Sequence, residues 1–278
     1  MKSLYLPPDH WQEPFQLEGP EAHHLLTVLR ARPGDTVRLF DGHGRTGSFV
    51  VRTTARKTAC LELLNQQRQP RPRRAIHVAL GWNKASRRGW ILEKAVELGA
   101  AGLIFWQASR SQGRVPDQPK QSWTDHLINA AKQCGNPWLP TITTVPEGPG
   151  EVIRLCSSLS NQPAPQPSSR TSSQVSSKAV PGTGKFLLWE DASPEDLFDP
   201  GQLPGCGPAV LILGPEGGLA GDEAQAFMDN GYLPRSLGRS TLRWETAALL
   251  CLGLCYWSTQ SSQSTQSDPS ENPVPLDA

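Results

Sequence analysis

Two glycine-bearing segments late in the sequence carry the residue types best suited to holding a small ligand. The first is Leu211-Ile212-Leu213-Gly214-Pro215-Glu216-Gly217-Gly218. An apolar run with strand character leads straight into a glycine-rich turn and then toward a helix. In open α/β sheets, ligands sit beyond the carboxyl ends of the strands. Glycines there permit positive φ and let backbone amides come close to a ligand. The run is neither a G-x-x-x-x-G-K-[ST] phosphate loop nor a G-x-G-x-x-G fingerprint, so neither a triphosphate nor a dinucleotide is indicated. A plain strand-to-helix turn is the simpler reading, but such a turn does not need glycines and a proline packed around one glutamate.

The second segment runs Ser236-Leu237-Gly238-Arg239-Ser240-Thr241-Leu242-Arg243-Trp244-Glu245-Thr246-Ala247 and joins a short strand to an apolar final helix. Arg243 and Glu245 fall where that helix begins and its first N–H groups have no intrahelical partner. A carboxylate in the first turn suits the helix dipole, so a structural role alone accounts for Glu245. Arg243 opposes the dipole, and a cation serving an anionic substrate explains it better.

These loops need a scaffold. Residues 1–70 read as a small β-rich unit. Val37–Phe40 and Ser48–Val51 flank the turn Asp41-Gly42-His43-Gly44 as a hairpin, and Ala59–Leu64 offers a further strand. The basic, proline-punctuated stretch Gln66–Arg74 suits a linker. Beyond it the pattern alternates. Strands are expected at Ile76–Leu80, Leu103–Trp106, Phe186–Trp189 and Val210–Leu213, and helices at Arg87–Leu98, Trp123–Gln133, Asp222–Asn230 and Glu245–Trp257. Gly99, Gly135 and Gly231 stand where helix C-caps are wanted. Alternation of this kind argues for a parallel sheet covered on both faces, filling residues 75–258. Residues 157–185, rich in Ser, Pro and Gln, read as a flexible insertion, and 259–278 as a disordered tail.

Net charge is +1, but it is unevenly spread. Residues 1–116 hold 18 Lys+Arg against 9 Asp+Glu, and residues 117–278 hold 9 against 17. A basic front half suits a nucleic-acid partner. Within it, Arg30 and Arg32 flank a turn and are either phosphate ligands or a solvated face. His23 and His24 lie on an apolar stretch, as structural residues or as RNA contacts. Lys94 and Glu97 suit a surface ion pair, and Cys251 and Cys255 suit core packing. Six cysteines without a C-x-x-C pair, and histidines placed elsewhere, argue against a metal site. Met1–His10 has no signal-peptide core, and the apolar run Ala247–Trp257 is too short to span a bilayer. A cytoplasmic protein is expected.

The pair LILGPEGGL and LGRSTLRWETAALL resembles the C-terminal signature of RsmE-type methyltransferases of the SPOUT class. Lys84, Trp90-Ile91-Leu92, Lys94 and Glu97-Leu98-Gly99 are similar to that family's first helical motif. Glu21-Ala22-His23-His24-Leu25-Leu26, Val28-Leu29-Arg30, Pro33-Gly34-Asp35 and Leu39-Phe40-Asp41-Gly42 are similar to its N-terminal domain. The likeness covers roughly residues 4–257, the insertion apart. The chain departs from the pattern at Trp244, Ala220, Gly238-Arg239-Ser240, Lys132–Asn136 and Ser109-Arg110-Ser111.

The resemblance implies an N-terminal PUA-like β-barrel, then a SPOUT α/β domain with a C-terminal trefoil knot. It implies S-adenosylmethionine as methyl donor, N3 of a uridine in 16S ribosomal RNA of the small subunit as acceptor, and a homodimer. Three segments would cradle the cofactor: Leu188, Trp189 and Glu190; Leu213, Gly214, Pro215, Glu216, Gly217 and Gly218; and Leu237, Gly238, Thr241, Leu242, Arg243, Glu245, Thr246 and Ala247. Arg243 is the candidate for stabilising charge on the uracil, with Glu216 and Glu245 as candidate carboxylates. His24, Arg30, Arg32, Lys84 and Arg110 are the candidate RNA contacts. No histidine lies beyond His126, so the general base is not identified. The target base must be unstacked to be reached. Two other readings remain at this level: a non-catalytic RNA-binding protein of the same fold, and a methyltransferase acting at another RNA position.

Overall fold

The computed structural model describes residues 2–84, 87–160 and 184–264. The front unit comprises β1 (Lys2–Tyr5), β2 (Phe15–Leu17), α1 (Gly19–His23), which runs on into a wider helical turn over His24–Val28, β3 (Thr36–Phe40), β4 (Arg45–Thr54) and β5 (Ala59–Arg68). Its strands form one curled sheet in the order β1-β3-β4-β5-β2, a half-barrel with β1 and β2 at its edges. The expected hairpin is β3–β4, paired from Thr36 opposite Val50 to Phe40 opposite Thr46. Its turn closes on Asp41, which is 1% exposed and accepts the backbone N–H groups of His43 and Arg45 at 2.7 and 2.9 Å. Val37, Leu39, Phe49 and Val51 point inward with Leu4, Leu17, Leu25 and Leu61 to form a separate small core.

The second unit contains β6 (Arg74–Gly81), α2 (Arg88–Glu97), β7 (Gly102–Trp106), α3 (Gln121–Cys134), β8 (Thr141–Val145), α4 (Pro149–Ser160), β9 (Lys185–Leu188), β10 (Gly207–Leu213), α5 (Gly221–Asp229), β11 (Leu233–Arg235) and α6 (Trp244–Ser264). All six strands pair parallel, in the order β11-β9-β10-β6-β7-β8. Buried parallel strands read as unbroken apolar runs because both faces are covered. In β10, Ala209, Leu211 and Leu213 join the core beneath α2, α3 and α6, while Val210 and Ile212 join the one beneath α4 and α5. His77, on the central strand β6, is held neutral: burial pushes its imidazole down to about 4.

Several expectations are corrected. The linker is shorter than Gln66–Arg74, because Gln66, Gln67 and Arg68 pair with Gly47, Thr46 and Arg45 and extend β5. The expected insertion at 157–185 begins inside α4, which continues to Ser160, and Lys185 already belongs to β9. Residues 161–183 of that insertion lie outside the described residues, as do 265–278 of the expected tail. Residues 259–264 of the tail continue α6. Extending an existing helix adds one bond per residue fixed, whereas starting one is costly, so a polar sequence can prolong it.

The two units are pinned together at two points. Leu139 donates its N–H to Gly42 O at 2.9 Å and Gly44 donates to Pro137 O at 3.0 Å, so the front hairpin turn lies on the segment after α3. A Cβ at Gly44, whose φ is +88°, would overlap the Trp138 ring. Lys132 Nζ lies 2.7 Å from Glu21 Oε1, while Glu21 Oε2 accepts the Tyr5 N–H at 3.0 Å. Lys132–Asn136, a departure from the family pattern, is therefore structural here. Lys132 joins the units, and the Asn136 amide donates to Val96 O and accepts from Trp138 N–H.

Candidate functional site

Beyond the carboxyl ends of β9, β10 and β11 lies a cavity of about 800 Å³. It is built from three chain segments: Leu188–Glu190, Leu213–Gly218 and Ser236–Ala247, the last without Thr246. Arg87, at the start of α2, completes its wall. The glycine-rich turn folds as it does for local reasons. Gly218 adopts φ +73°, its N–H donates to Pro215 O at 2.9 Å, and a Cβ there would overlap Glu190 Oε1. That same Oε1 accepts the Leu219 N–H at 3.1 Å, so Glu190 is a strut of the loop. Gly81, at the end of β6, must also lack a side chain, because Pro215 packs directly on it.

The turn after β7 supports the loop from outside. Arg110 donates from Nη1 to Gly217 O at 3.3 Å. Glu223, 6% exposed, accepts the Ser109 N–H at 2.8 Å and the Ala220 N–H at 3.1 Å. Ala220 thus needs no capping side chain of its own, because Glu223 reaches back to it from α5. On the far wall, Gly238 adopts φ +119° and its N–H donates to Ser236 Oγ at 3.1 Å. Arg243 stands just before α6 and accepts the Ala247 N–H on its carbonyl at 2.9 Å. Trp244 turns inward and is 4% exposed in the core with Ala248, Cys251 and Leu252.

The charges around the cavity divide into engaged and free. Glu190 holds the loop. Glu245, 4% exposed, faces Arg87 with Oε1 3.5 Å from Nη1. Glu216 is exposed. Arg239 and Arg243 are exposed and enter no ion pair among the described residues. Every lining residue except Arg87 falls within the three segments singled out from the sequence. Arg87 carries no local signal, since the carboxylate it meets lies far along the chain. Of the RNA candidates, His24 lies in a separate cleft of about 400 Å³ between the units. Arg30 and Arg32 are exposed on the front unit, Arg30 with φ +50°. Lys84 is exposed just before α2, and Arg110 braces the glycine loop. Among the described residues no group of three or more His, Cys, Asp or Glu could hold a metal ion, and no helix is long and apolar enough to cross a membrane.

A cavity of this size is within the range that encloses a cofactor-sized molecule. Comparison with known proteins agrees with the architecture. A family model described as "RNA methyltransferase domain" matches residues 69–256, and one described as "RNA methyltransferase PUA domain" matches residues 17–64. The chain is 30% identical over 241 residues to the ribosomal RNA small subunit methyltransferase E of Mycobacterium bovis, covering 85% of this chain and 84% of that one. It is similar to the crystal structure of a probable rRNA-methyltransferase from Porphyromonas gingivalis, with 28% identity, a TM-score of 0.72, and 96% and 100% of the two chains covered. The fold also matches a ribosomal RNA small subunit methyltransferase E from Neisseria gonorrhoeae bound to S-adenosyl methionine, at 23% identity and a TM-score of 0.69, over 94% and 98% of the chains. With both units matched in order and most of its length aligned, the chain belongs to the ribosomal RNA small subunit methyltransferase E family.

Proposed function

We propose that this protein transfers the methyl group of S-adenosylmethionine to N3 of a uridine in the 16S RNA of the small ribosomal subunit. The observation that carries this reading is the cavity itself. A glycine-rich loop and the start of α6 close it at the carboxyl ends of parallel strands, in a chain of this family. The residues present suit the cofactor. Leu188, Leu213, Leu237 and Leu242 offer an apolar wall, the glycines bare their backbone, and the exposed Glu216 suits a cationic ligand. When bound, S-adenosylmethionine supplies an electrophilic methyl group.

The rest is positioning and electrostatics. Methyl transfer to N3 would require the N3 proton to pass to water or to a base, leaving negative charge spread over the uracil oxygens. A cation aimed at that charge lowers the barrier. Arg243, free at the cavity wall, is assigned this role. Glu216 and Glu245 are assigned to orienting the loops and the cofactor. Thr246, outside the wall, is assigned only to the segment that carries its neighbours. His24, Arg30, Arg32, Lys84 and Arg110 are proposed RNA contacts, with residues 1–70 as an RNA-holding barrel and 75–258 as the catalytic domain. The trefoil knot is the threading we propose for the segment from β11 to α6, which returns to pack on α2 and β6. A homodimer in the cytoplasm completes the reading. Titration calorimetry with S-adenosylmethionine tests the cofactor assignment: one site per chain is expected, and heat of dilution alone from folded protein would overturn it.

A further inference from the structure

Arg87 is placed with more care than a surface arginine needs. Its side chain is 58% exposed, yet Nη1 lies 3.5 Å from a carboxylate that is 6% exposed. The next residue anchors the position. The Arg88 guanidinium sits 3.8 Å from the centroid of Trp82 and 5.2 Å from that of Trp123. Its Nη2 donates to Asn83 O. It enters no ion pair among the described residues, so aromatic faces stand in for a counter-charge. The start of α2 is thereby fixed where Arg87 reaches the cavity wall and meets Glu245 at the start of α6.

Stability does not account for this pair. An exposed ion pair is worth about 0–1 kcal/mol, and a buried carboxylate costs more than an apolar residue in its place. The contact is also too long for a hydrogen bond. A guanidinium carries five N–H donors in a planar fork, so one edge can rest on Glu245 while the other faces an incoming anion. Lys84, three residues before Arg87 in the chain, is exposed, and the first turn of α2 holds no acidic residue. On the proposed reading, the anion arriving at this wall is RNA.

We infer that Arg87 binds a backbone phosphate of the RNA beside the target uridine, with Glu245 holding its guanidinium in place at the cavity. This rests on the function proposed above. The test compares wild type, Arg87→Ala and Arg87→Lys for methylation of small subunits lacking the modification, for RNA binding across a salt series, and for cofactor affinity. Arg87→Ala is expected to raise KM for RNA roughly ten- to hundred-fold, the scale of a lost hydrogen bond to a charged group. The slope of log affinity against log salt should become shallower by about one phosphate's share. Cofactor affinity should fall much less than RNA affinity, although Arg87 also borders the cavity. Arg87→Lys keeps the salt slope but recovers only part of the KM, because an ammonium lacks the fork. Unchanged RNA KM and salt slope in folded Arg87→Ala would overturn the assignment, and so would a loss confined to cofactor binding. If Arg87→Ala does not fold, Arg87→Lys decides: a KM equal to wild type overturns it. Should wild type transfer no methyl group at all, the proposed function fails, while the salt series still judges Arg87.

Discussion

At the scale of single residues, the site depends on backbone shape in one place and on a free charge in another. Gly218 needs its left-handed φ, and Glu190 fills the space a side chain would take. Gly218→Ala meets both obstacles, since the left-handed conformation alone costs a non-glycine residue roughly 1–2 kcal/mol. It is expected to lower affinity for S-adenosylmethionine at least about tenfold by calorimetry. The melting temperature should fall only a few degrees, because the loop is not core. Arg243 makes the opposite case. It is exposed and unpaired among the described residues, so the fold does not rely on its charge. Arg243→Ala should leave thermal stability unchanged and cut kcat by roughly two to three orders of magnitude, as when a transition-state charge partner is removed. Unfolding at normal activity per folded molecule would make Arg243 structural.

At the scale of elements, what could be read from the sequence was what is local. The strand–glycine–helix order of β10, its loop and α5 is written in consecutive residues, and so is the hairpin around Asp41–Gly44. Elements defined by distant partners were missed. Strand β1 exists because Lys2–Tyr5 lies parallel to Val37–Phe40, and β8, Thr-Ile-Thr-Thr-Val, is an edge strand held by β7. Within the site, Gly214–Gly218 was legible as a motif, whereas Arg87 joins it only through tertiary folding. The long α6 carries a further message. Leu250 and Trp257, seven residues apart on one helical face, are 38% and 72% exposed, and a Cβ at Gly253 between them would meet nothing within 4 Å. Trp90, on the adjoining α2, is 42% exposed. We propose that the exposed Leu250–Trp257 face of α6 meets a second copy in the homodimer. Trp257→Glu should shift the protein to monomer in sedimentation velocity while the fold, by circular dichroism, is retained. A Trp257→Glu protein that sediments like wild type would exclude this face.

At the scale of the whole molecule, the two units are joined by direct contacts. Phe40 and Tyr5 of the front sheet pack with the core of the methyltransferase unit, and the contacts at Gly42–Gly44 and Glu21–Lys132 fix their register. On the proposed function, an RNA held by the front sheet would be presented to the cavity of the second unit through these contacts. The measurement that tests this account most directly is methyl transfer itself. Purified protein is incubated with labelled S-adenosylmethionine and small subunits from cells lacking the modification, and the RNA is mapped by mass spectrometry of nuclease fragments. The account predicts one methyl group on one 16S uridine, at N3, with Arg243→Ala slowing its appearance. A methyl group on ribose, on another base or on protein would contradict it, as would RNA that binds and leaves unmodified.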